Sequence, residues 1–385
     1  MSRMRNALRR GGLMAAVVAA LLLVVAAAAG AAVPKETTEW LASELQPSGK
    51  GEFCESFSAS GRVGQTVDCM LAFKAADEKE GTTTFAADRQ AAYEYVLANM
   101  SAYVGTEPCA TASSMSAGAV AKLALGVIAQ GGDPMNVEGR NLIADLQCLQ
   151  ATTGPEKGRF KDKGASDFSN VFGQSLAIVA LKACAEKHGC VNPPSLTATL
   201  TSAATYLRGQ QCDENAAEEG VAGAYRSSMG TTLTPTGCNA RTPFPSETEF
   251  NENAVEVDST GFAIEALISQ GSGASILAAI EAGSWLTSEA KAEGSPTRLH
   301  WENYCSFEEA TKKLPSVNST ALAIMGYSEI GLSITPAVAW LEAAALSGSN
   351  RGLPACGASG NGDVLATAQG ILGLYETSYP TLVGI

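Results

Sequence analysis

Six segments of the chain share one pattern of hydrophobic and polar positions. A small or polar residue is followed by a nearly unbroken run of apolar and small residues, starting at Thr66, Gly118, Gln174, Thr260, Thr320 and Thr367. A helix of this composition is apolar on nearly every side, which is typical of a helix buried on all faces. The segments recur roughly every 50 to 60 residues, with one longer interval, and such a period indicates a repeat architecture.

A second kind of segment lies between the first kind. It mixes apolar and charged residues at helical spacing, as expected of helices with one face in solvent. Most carry an aromatic-Leu pair, beginning at Trp40, Tyr206, Trp285 and Trp340, and the stretches 93–100 and 142–149 fill the remaining places. Six buried helices alternating with six amphipathic ones predict an all-α protein, a single α6/α6 toroid with an inner ring of six helices inside an outer ring of six.

The first 32 residues read as a signal peptide. A basic stretch over residues 3–10 precedes an apolar run over 13–29, and small residues follow. This order is that of a cleaved secretory signal; an uncleaved membrane anchor is the alternative. We favour cleavage, and therefore expect a secreted or cell-envelope protein without a membrane span once the signal is removed.

The toroid is predicted over residues 36–378. A polar stretch rich in Gly and Thr, at about 213–253, lengthens one repeat and predicts an inserted surface loop. No later segment suggests a second domain.

Ten cysteines agree with export. Their number is even, no C-x-x-C is present, and thiols in an oxidising compartment normally pair. We predict five disulfides, which are Cys212–Cys238, Cys184–Cys190, Cys305–Cys356, Cys54–Cys69 and Cys109–Cys148.

The negative charge of the chain limits the classes of partner that it can bind. The formal net charge is −13, and removing four arginines with the leader gives −13 − 4 = −17. Nucleic acids are polyanions, so this field argues against them as partners. A small-molecule ligand or a partner protein remains.

Two motifs carry a resemblance to a known superfamily. Residues 257–264 (Val-Asp-Ser-Thr-Gly-Phe-Ala-Ile) and 366–369 (Ala-Thr-Ala-Gln) are similar to inner-helix repeats of the terpenoid cyclases and protein prenyltransferases. Residues 40–53 and 206–211 resemble degenerate squalene-cyclase repeats. The superfamily also includes the cobalamin carriers, and the resemblance implies the toroid fold more strongly than any activity.

The enzymes of that superfamily fit this chain poorly. Asp258 matches the zinc-ligating Asp of the prenyltransferases, but Thr260 and Ser319 stand at the Cys and His positions, so no metal is expected. Asp258 also matches the protonating Asp of the squalene-hopene cyclases, yet Ser259 replaces a neighbouring acid and only 6% of the residues are aromatic. The cobalamin carriers use the toroid without catalysis, so we expect no cofactor, with a corrinoid as one candidate ligand.

Polar residues mark the predicted starts of the inner helices. Because these helices run in parallel, their N-termini open on one face, which we call the mouth. The expected ligand-binding residues there are Asn170, Gln174, Glu256, Asp258, Asn318 and Asp363. Helix capping is the alternative role for such residues, and Glu256 with Asp258, or Asp363 with Asp258, also resembles a glycosidase pair.

Three classes of function therefore remain. We rank first an exported, non-catalytic protein that binds a small molecule, corrinoid-like or terpenoid-like, or a partner at the mouth. The alternative is a terpenoid-cyclase-like or glycosidase-like enzyme with Asp258 as the catalytic acid. A structural envelope protein ranks third.

Overall fold

A computed structural model provides the structure of the chain. It describes residues 32–45, 59–187, 190, 193–213, 220–231, 238, 254–303, 313–348, 350–356 and 361–385. Nearly all of the predicted leader and most of the predicted 213–253 loop lie outside these ranges. The proposed domain bounds therefore stay predictions.

The described residues are mostly helical. In chain order the helices are α1 (residues 32–43), α2 (Ala59–Glu80), α3 (Ala86–Ala98), α4 (Met100–Val104), α5 (Ala117–Ala129), α6 (Leu142–Leu149), α7 (Val171–Lys187), α8 (Pro193–Gly209), α9 (Val257–Gln270), α10 (Gly273–Glu289), α11 (Val317–Glu329), α12 (Thr335–Ala344), α13 (Val364–Leu374) and α14 (Tyr379–Val383). None of these helices is long and apolar enough to cross a membrane.

Six helices form a closed inner ring. Each of α2, α5, α7, α9, α11 and α13 contacts the next, and α13 returns to α2. The amphipathic helices α3, α6, α8, α10 and α12 each pack against the inner helix that precedes them, as the sequence pattern predicts. Trp40 of α1 packs against Gly352 and Gly362, in the connection that leads into α13. The prediction of an all-α α6/α6 toroid is confirmed.

The first position of each repeat has a structural role in the four later repeats. A buried side chain there accepts a hydrogen bond from a backbone N–H of the connection that leads into the ring: Phe160 to Gln174 (2.9 Å), Tyr225 to Thr260 (3.0 Å), Trp301 to Thr320 (3.1 Å) and Leu353 to Thr367 (2.8 Å). The four donor residues are fully buried. A buried N–H needs an acceptor, so the repeat position fastens each connection to the ring.

Two glycines allow inner helices to approach closely. A Cβ on Gly173 of α7 would lie 3.0 Å from the Cα of Gly118 on α5, and one on Gly261 of α9 would lie 2.5 Å from the carbonyl oxygen of Leu322 on α11. Real Cβ atoms essentially never show the second contact, and the first is tighter than most of theirs. A larger residue at Gly261 would therefore force α9 and α11 apart, and one at Gly173 would require α5 to shift slightly.

Two small β-hairpins, which the sequence pattern does not predict, lie between α10 and α11. Strand β1 (Lys291–Glu293) pairs antiparallel with β2 (Arg298–His300), and β3 (Glu302–Asn303) pairs antiparallel with β4 (Leu314–Pro315). Trp301 separates β2 from β3, is fully buried, and donates from Nε1 to the carbonyl of Leu286 at 2.8 Å. This tryptophan anchors the hairpins against outer helix α10.

The C-terminal segment, residues 375–385, crosses the end of the ring opposite to the mouth. Its helix α14 contacts α2, α5, α7 and α9. The backbone N–H of Tyr379 donates to Oε2 of Glu265 at 2.8 Å, and the hydroxyl of Ser378 donates to Glu329. We call this end the closed end, and part of it lies beyond the predicted limit at residue 378.

Three of the predicted disulfides are present. They are Cys109–Cys148, Cys184–Cys190 and Cys212–Cys238, with Cα–Cα separations of 6.1, 5.5 and 5.9 Å. Cys356 is also disulfide-bonded. Cys54 and Cys305 lie outside the described residues, so the Cys54–Cys69 and Cys305–Cys356 pairs stay predictions.

Candidate functional site

A central cavity of about 850 Å³ opens at the mouth of the toroid. All six inner helices, or the residues that cap them, contribute to its wall. Its polar lining residues are Gln65, Tyr103, Ser116, Lys122, Asn170, Asp258, Asn303, Ser316, Asn318, Asp363, Gln369 and Tyr379.

Helix periodicity explains which side chains line the wall. Residues two positions before the shared start of the repeats line the cavity in five of the six inner helices: Ser116, Phe172, Asp258, Asn318 and Leu365. Side chains four apart share one face of a helix. The next layer of the wall is accordingly Leu176, Phe262, Leu322 and Gln369.

Two of the expected ligand-binding residues are also helix caps. Oδ1 of Asn170 accepts from the backbone N–H of Gly173 at 2.9 Å, and Oδ1 of Asp363 accepts from the N–H of Ala366 at 2.7 Å. Both residues line the cavity as well. Capping and facing the mouth are therefore compatible, since a capping carboxylate or amide uses one atom and leaves its other terminal atom available.

Two carboxylates reach the cavity from different walls. Asp258 lies in the first turn of α9, and Asp363 is the N-cap of α13. Helix α11 stands between α9 and α13 in the ring and contributes Asn318, whose Nδ2 donates to Oε1 of Gln369 at 2.6 Å. An amide pair thus lies on the wall between the two acids.

Gln174 does not line the cavity, contrary to expectation. It is buried at the shared repeat position, where its amide donates to the carbonyls of Gly158 (2.9 Å) and Ala203 (3.1 Å) while accepting from Phe160. Its polar atoms face the connection and the outer helix. The physical reason is the register, because this position follows the cavity-lining one by two residues and therefore points elsewhere on the helix.

Glu256 does not line the central cavity either. It is the N-cap of α9 in an extended conformation and lines a side pocket of about 130 Å³ together with Glu289, Glu302 and Lys313. Asn303 borders both spaces. The expected Glu256–Asp258 pair is therefore divided between two pockets, which leaves Asp363 as the carboxylate that shares a cavity with Asp258.

A buried ion pair in the wall was not predicted. Nζ of Lys122 on α5 lies 2.6 Å from Oδ2 of Asp68 on α2; the Lys122 side chain is 21% exposed and that of Asp68 is 2% exposed. Burial raises the pKa of Asp68, and Lys122 partly offsets this. Burial acts to lower the pKa of Lys122, but attraction by Asp68 and Tyr103 together with the hydrogen bond to Asp68 opposes it, and the net result is a raised pKa.

The sequence did contain a signal for this pair. Asp68 and Lys122 are charged residues inside inner segments that are otherwise almost wholly apolar. An isolated charge in a buried helix requires a partner or a function. Burial also raises the pKa of Tyr103, which lines the same part of the cavity.

Aromatic rings form the inner part of the cavity. Phe172 meets Phe262 edge to face, with ring centroids 5.3 Å apart, and Phe262 stacks on Tyr379 at 5.4 Å. Tyr379 comes from α14, so the C-terminal segment supplies the cavity floor as well as the closed end. Its contribution depends on tertiary packing rather than on the repeat.

The positions compared with a zinc site are engaged by other groups. Oγ1 of Thr260 accepts from the N–H of Tyr225 and donates to the carbonyl of Glu256, and Oγ of Ser319 accepts from Nδ2 of Asn303. Within the described ranges, no three His, Cys, Asp or Glu side chains are grouped to hold a metal ion. The expectation of a metal-free site stays a prediction.

Known structures resemble this chain, although no protein-family model and no curated protein matches it. The GH76A alpha-1,6-mannanase from Salegentibacter sp. HEL1_6 shares 12% identity and a TM-score of 0.62, over 92% of this chain and 99% of that one. Unsaturated glucuronyl hydrolase from Bacillus sp. GL1 shares 10% identity and a TM-score of 0.57, over 89% and 95%. A family 76 glycoside hydrolase from a bovine Bacteroides thetaiotaomicron strain shares 8% identity and a TM-score of 0.57, over 89% and 77%.

These likenesses show the fold and correct one expectation. They support the toroid that the resemblance to terpenoid cyclases implied, and the similar structures named above are glycoside hydrolases. Our preference for a non-catalytic protein is wrong because these similar structures are enzymes. The enzyme alternative is the one that the comparisons support.

Proposed function

We propose that the protein is a glycoside hydrolase that cleaves a saccharide bound in the central cavity. The observation that carries the proposal is that Asp258 and Asp363, on different inner helices, line the same cavity. Most glycoside hydrolases use a pair of carboxyl groups on either side of the scissile bond, one as acid and the other as base or nucleophile. The similar α6/α6 structures support the same chemistry.

The surroundings of the two acids suggest their roles. Asp363 is fixed by its bond to the N–H of Ala366, which suits a carboxylate that must hold one position as base or nucleophile. Asp258 has Phe262 one helical turn further along the same wall. We assign Asp258 as the general acid, because apolar neighbours favour the protonated carboxyl group that an acid requires.

Other lining groups suit a saccharide ligand. The amides of Asn170, Asn318 and Gln369 offer donors and acceptors, and the rings of Phe172 and Phe262 offer apolar faces. Phe168 lies two residues before Asn170, which caps α7, and is 78% exposed. A sugar ring has polar edges and less polar faces, and this lining provides for both.

We further propose that the enzyme works outside the cytoplasm. The leader sequence and the three disulfides support this location. A corrinoid or terpenoid ligand, expected from the sequence resemblance, stays a prediction.

The test is a hydrolysis assay on a panel of neutral and uronic oligosaccharides and polysaccharides. The release of reducing ends measures the activity. Asp258→Asn and Asp363→Asn should each lower kcat at least about 100-fold, the lower end of what acid–base catalysis contributes. Asn caps helices as well as Asp does, so the Asp363→Asn protein should keep its unfolding midpoint.

The matched control is Asp133→Asn, in the exposed turn after α5 at the closed end, where Oδ1 accepts from the N–H of Met135. It should keep full activity. The proposal is contradicted if the wild-type protein releases no product from any glycan of the panel, or if both cavity variants remain as active as the control.

A further inference from the structure

We propose that the wall between α2 and α5 is a subsite for two neighbouring hydroxyl groups of an uncharged sugar ring. We call it the diol subsite and define it as Gln65, Asp68 and Lys122. It deepens the proposed function and rests on it for the position of the reactive bond, but the binding chemistry is argued from these three residues alone.

Within the residues that the structure describes, Oε1 of Gln65 and Oδ1 of Asp68 are buried acceptors without a hydrogen-bond donor. Gln65 lines the cavity, whereas Asp68 reaches it only through Lys122, the lining residue that it bonds. The two residues are three apart on α2, so their side chains lie on one face of the helix, about a turn from each other. Buried acceptors are normally satisfied, so a ligand that brings donors to this face recovers what the fold leaves unpaired.

Lys122 supplies the opposite kind of group. It lines the cavity, and its Nζ donates to Oδ2 of Asp68 at 2.6 Å. An ammonium group has three N–H donors, and Asp68 takes one of them. The lysine therefore offers further donors, while its charge is balanced by a carboxylate 2% exposed.

This combination matches hydroxyl groups better than a carboxylate. A hydroxyl both donates and accepts, so one of two adjacent hydroxyls can donate to Gln65 while the other accepts from Lys122. A uronate carboxylate only accepts, and it would add negative charge beside Asp68, in a cavity that already holds Asp258 and Asp363. The subsite therefore selects a neutral sugar over a uronic one.

The order of the helices in the ring places this subsite near both proposed catalytic acids. Helix α2 neighbours α13, which carries Asp363, and lies three places around the ring from α9, which carries Asp258. A sugar unit held at α2 and α5 has one acid on the adjoining wall and the other across the cavity. The next unit of the chain then extends towards the mouth between them.

The experiment measures binding of two probes by calorimetry, alpha-1,6-mannotriose as the neutral one and an unsaturated glucuronyl disaccharide as the uronic one. Binding is measured with the wild-type protein and in the Asp258→Asn background, where turnover is suppressed. An array of neutral and uronic glycans extends the comparison. The wild-type protein should bind neutral glycans at least about tenfold more tightly than uronic ones of equal length.

Two variants test the residues. Gln65→Leu removes one acceptor, and Asp68→Asn with Lys122→Met removes the ion pair without leaving a lone buried charge. Each should weaken binding of the neutral probe at least about tenfold. The matched controls are Gln90→Leu on the exposed face of α3, and Lys74→Met with Glu78→Gln, which removes an ion pair of α2 that does not line the cavity.

The proposal is overturned if the subsite variants bind the neutral probe as the controls do, if uronic glycans bind more tightly, or if no glycan binds at millimolar concentration. Its failure is distinguishable from failure of the proposed function. If Gln65→Leu weakens binding while Asp258→Asn and Asp363→Asn keep hydrolysis, the subsite stands and the catalytic assignment falls. If the Asn variants are inactive while Gln65→Leu binds normally, the reverse holds.

Discussion

The mouth and the closed end of the toroid are opposite ends of the same six inner helices. They differ in whether the acidic side chains of those helices face a cavity or are covered by protein. At the mouth, Asp258 and Asp363 face a cavity. At the closed end, Glu265 and Glu329 are covered by residues 375–385 and accept hydrogen bonds from Tyr379 and Ser378. Polar residues in the ring are therefore available to a ligand only where no later part of the chain covers them.

The difference follows from chain order. The inner helices start at the mouth, and the connections that lead into the last four of them are hydrogen-bonded to the shared repeat position. The inner helices end at the opposite side of the toroid, and the last residues of the chain cover the ring there. A buried carboxylate is costly unless hydrogen-bonded, and α14 provides the donors at that end.

The largest expected effect is a loss of stability at the cavity floor, which lies between the mouth and the closed end. Tyr379→Ala removes a ring that is 2% exposed and stacks on Phe262. Large aromatic truncations in cores cost about 3–5 kcal/mol in the free energy of unfolding, which urea denaturation measures.

Phe168→Ala, which truncates an exposed ring, is the matched control and should change the free energy of unfolding by less than about 0.5 kcal/mol. If the two variants lose similar stability, the C-terminal segment does not build the floor, and the contrast between the two ends fails.

A smaller effect on stability distinguishes residues of the inner ring that support the fold from residues that line the cavity. Gln174→Leu leaves the N–H of Phe160 and the carbonyls of Gly158 and Ala203 without the amide that now binds them. The expected loss is about 2–3 kcal/mol, with glycan affinity unchanged because Gln174 does not line the cavity.

Gln369→Leu, on the cavity wall beside Asn318, should show the opposite behaviour, with weaker glycan binding and little change in the unfolding midpoint. Denaturation and calorimetry on both variants decide the matter. If Gln174→Leu weakens glycan binding at unchanged stability, Gln174 belongs to the binding site after all.

The smallest effect concerns pH at the closed end. Burial, followed by repulsion from Glu329, raises the pKa of Glu265 well above its ordinary value of 4.5. A carboxyl group whose pKa is raised by folding contributes fully to stability below its ordinary value, and that contribution is lost as pH rises through the folded value. The wild-type protein should therefore lose stability above pH 4.5 through this group.

Glu265→Gln should flatten that dependence and still accept from Tyr379. We therefore expect the variant to gain stability relative to the wild-type protein at pH 8 compared with pH 4.5. Glu78→Gln, on an exposed carboxylate of α2, is the control. Parallel stability curves for Glu265→Gln and the wild-type protein would show that Glu265 does not titrate as described.

The ring was predictable from sequence because the repeat is local. Each inner segment is apolar on all sides and each outer one has a polar face, so the pattern predicts both layers. The β-hairpins around Trp301 and the closure by α14 were not predictable, since they depend on contacts between distant parts of the chain. Short segments such as residues 379–383 have no period to detect.

The site was predictable only where helix register decides the direction of a side chain. Asn170, Asp258, Asn318 and Asp363 line the cavity because they stand at or just before helix starts. Glu256 is two residues from Asp258, yet an extended residue before a helix points differently from one in its first turn. Charge–charge partners such as Asp68 and Lys122, 54 residues apart, need the folded ring to meet.

The most direct test of the account compares Asp258→Asn with Glu256→Gln. These acids are two residues apart on the same helix start, but only Asp258 lines the central cavity. We predict that Asp258→Asn lowers kcat on the best glycan substrate at least about 100-fold, while Glu256→Gln stays within about threefold of the wild-type protein, with both unfolding midpoints preserved. Equal losses in both variants, or full activity of Asp258→Asn, would contradict catalysis in the central cavity.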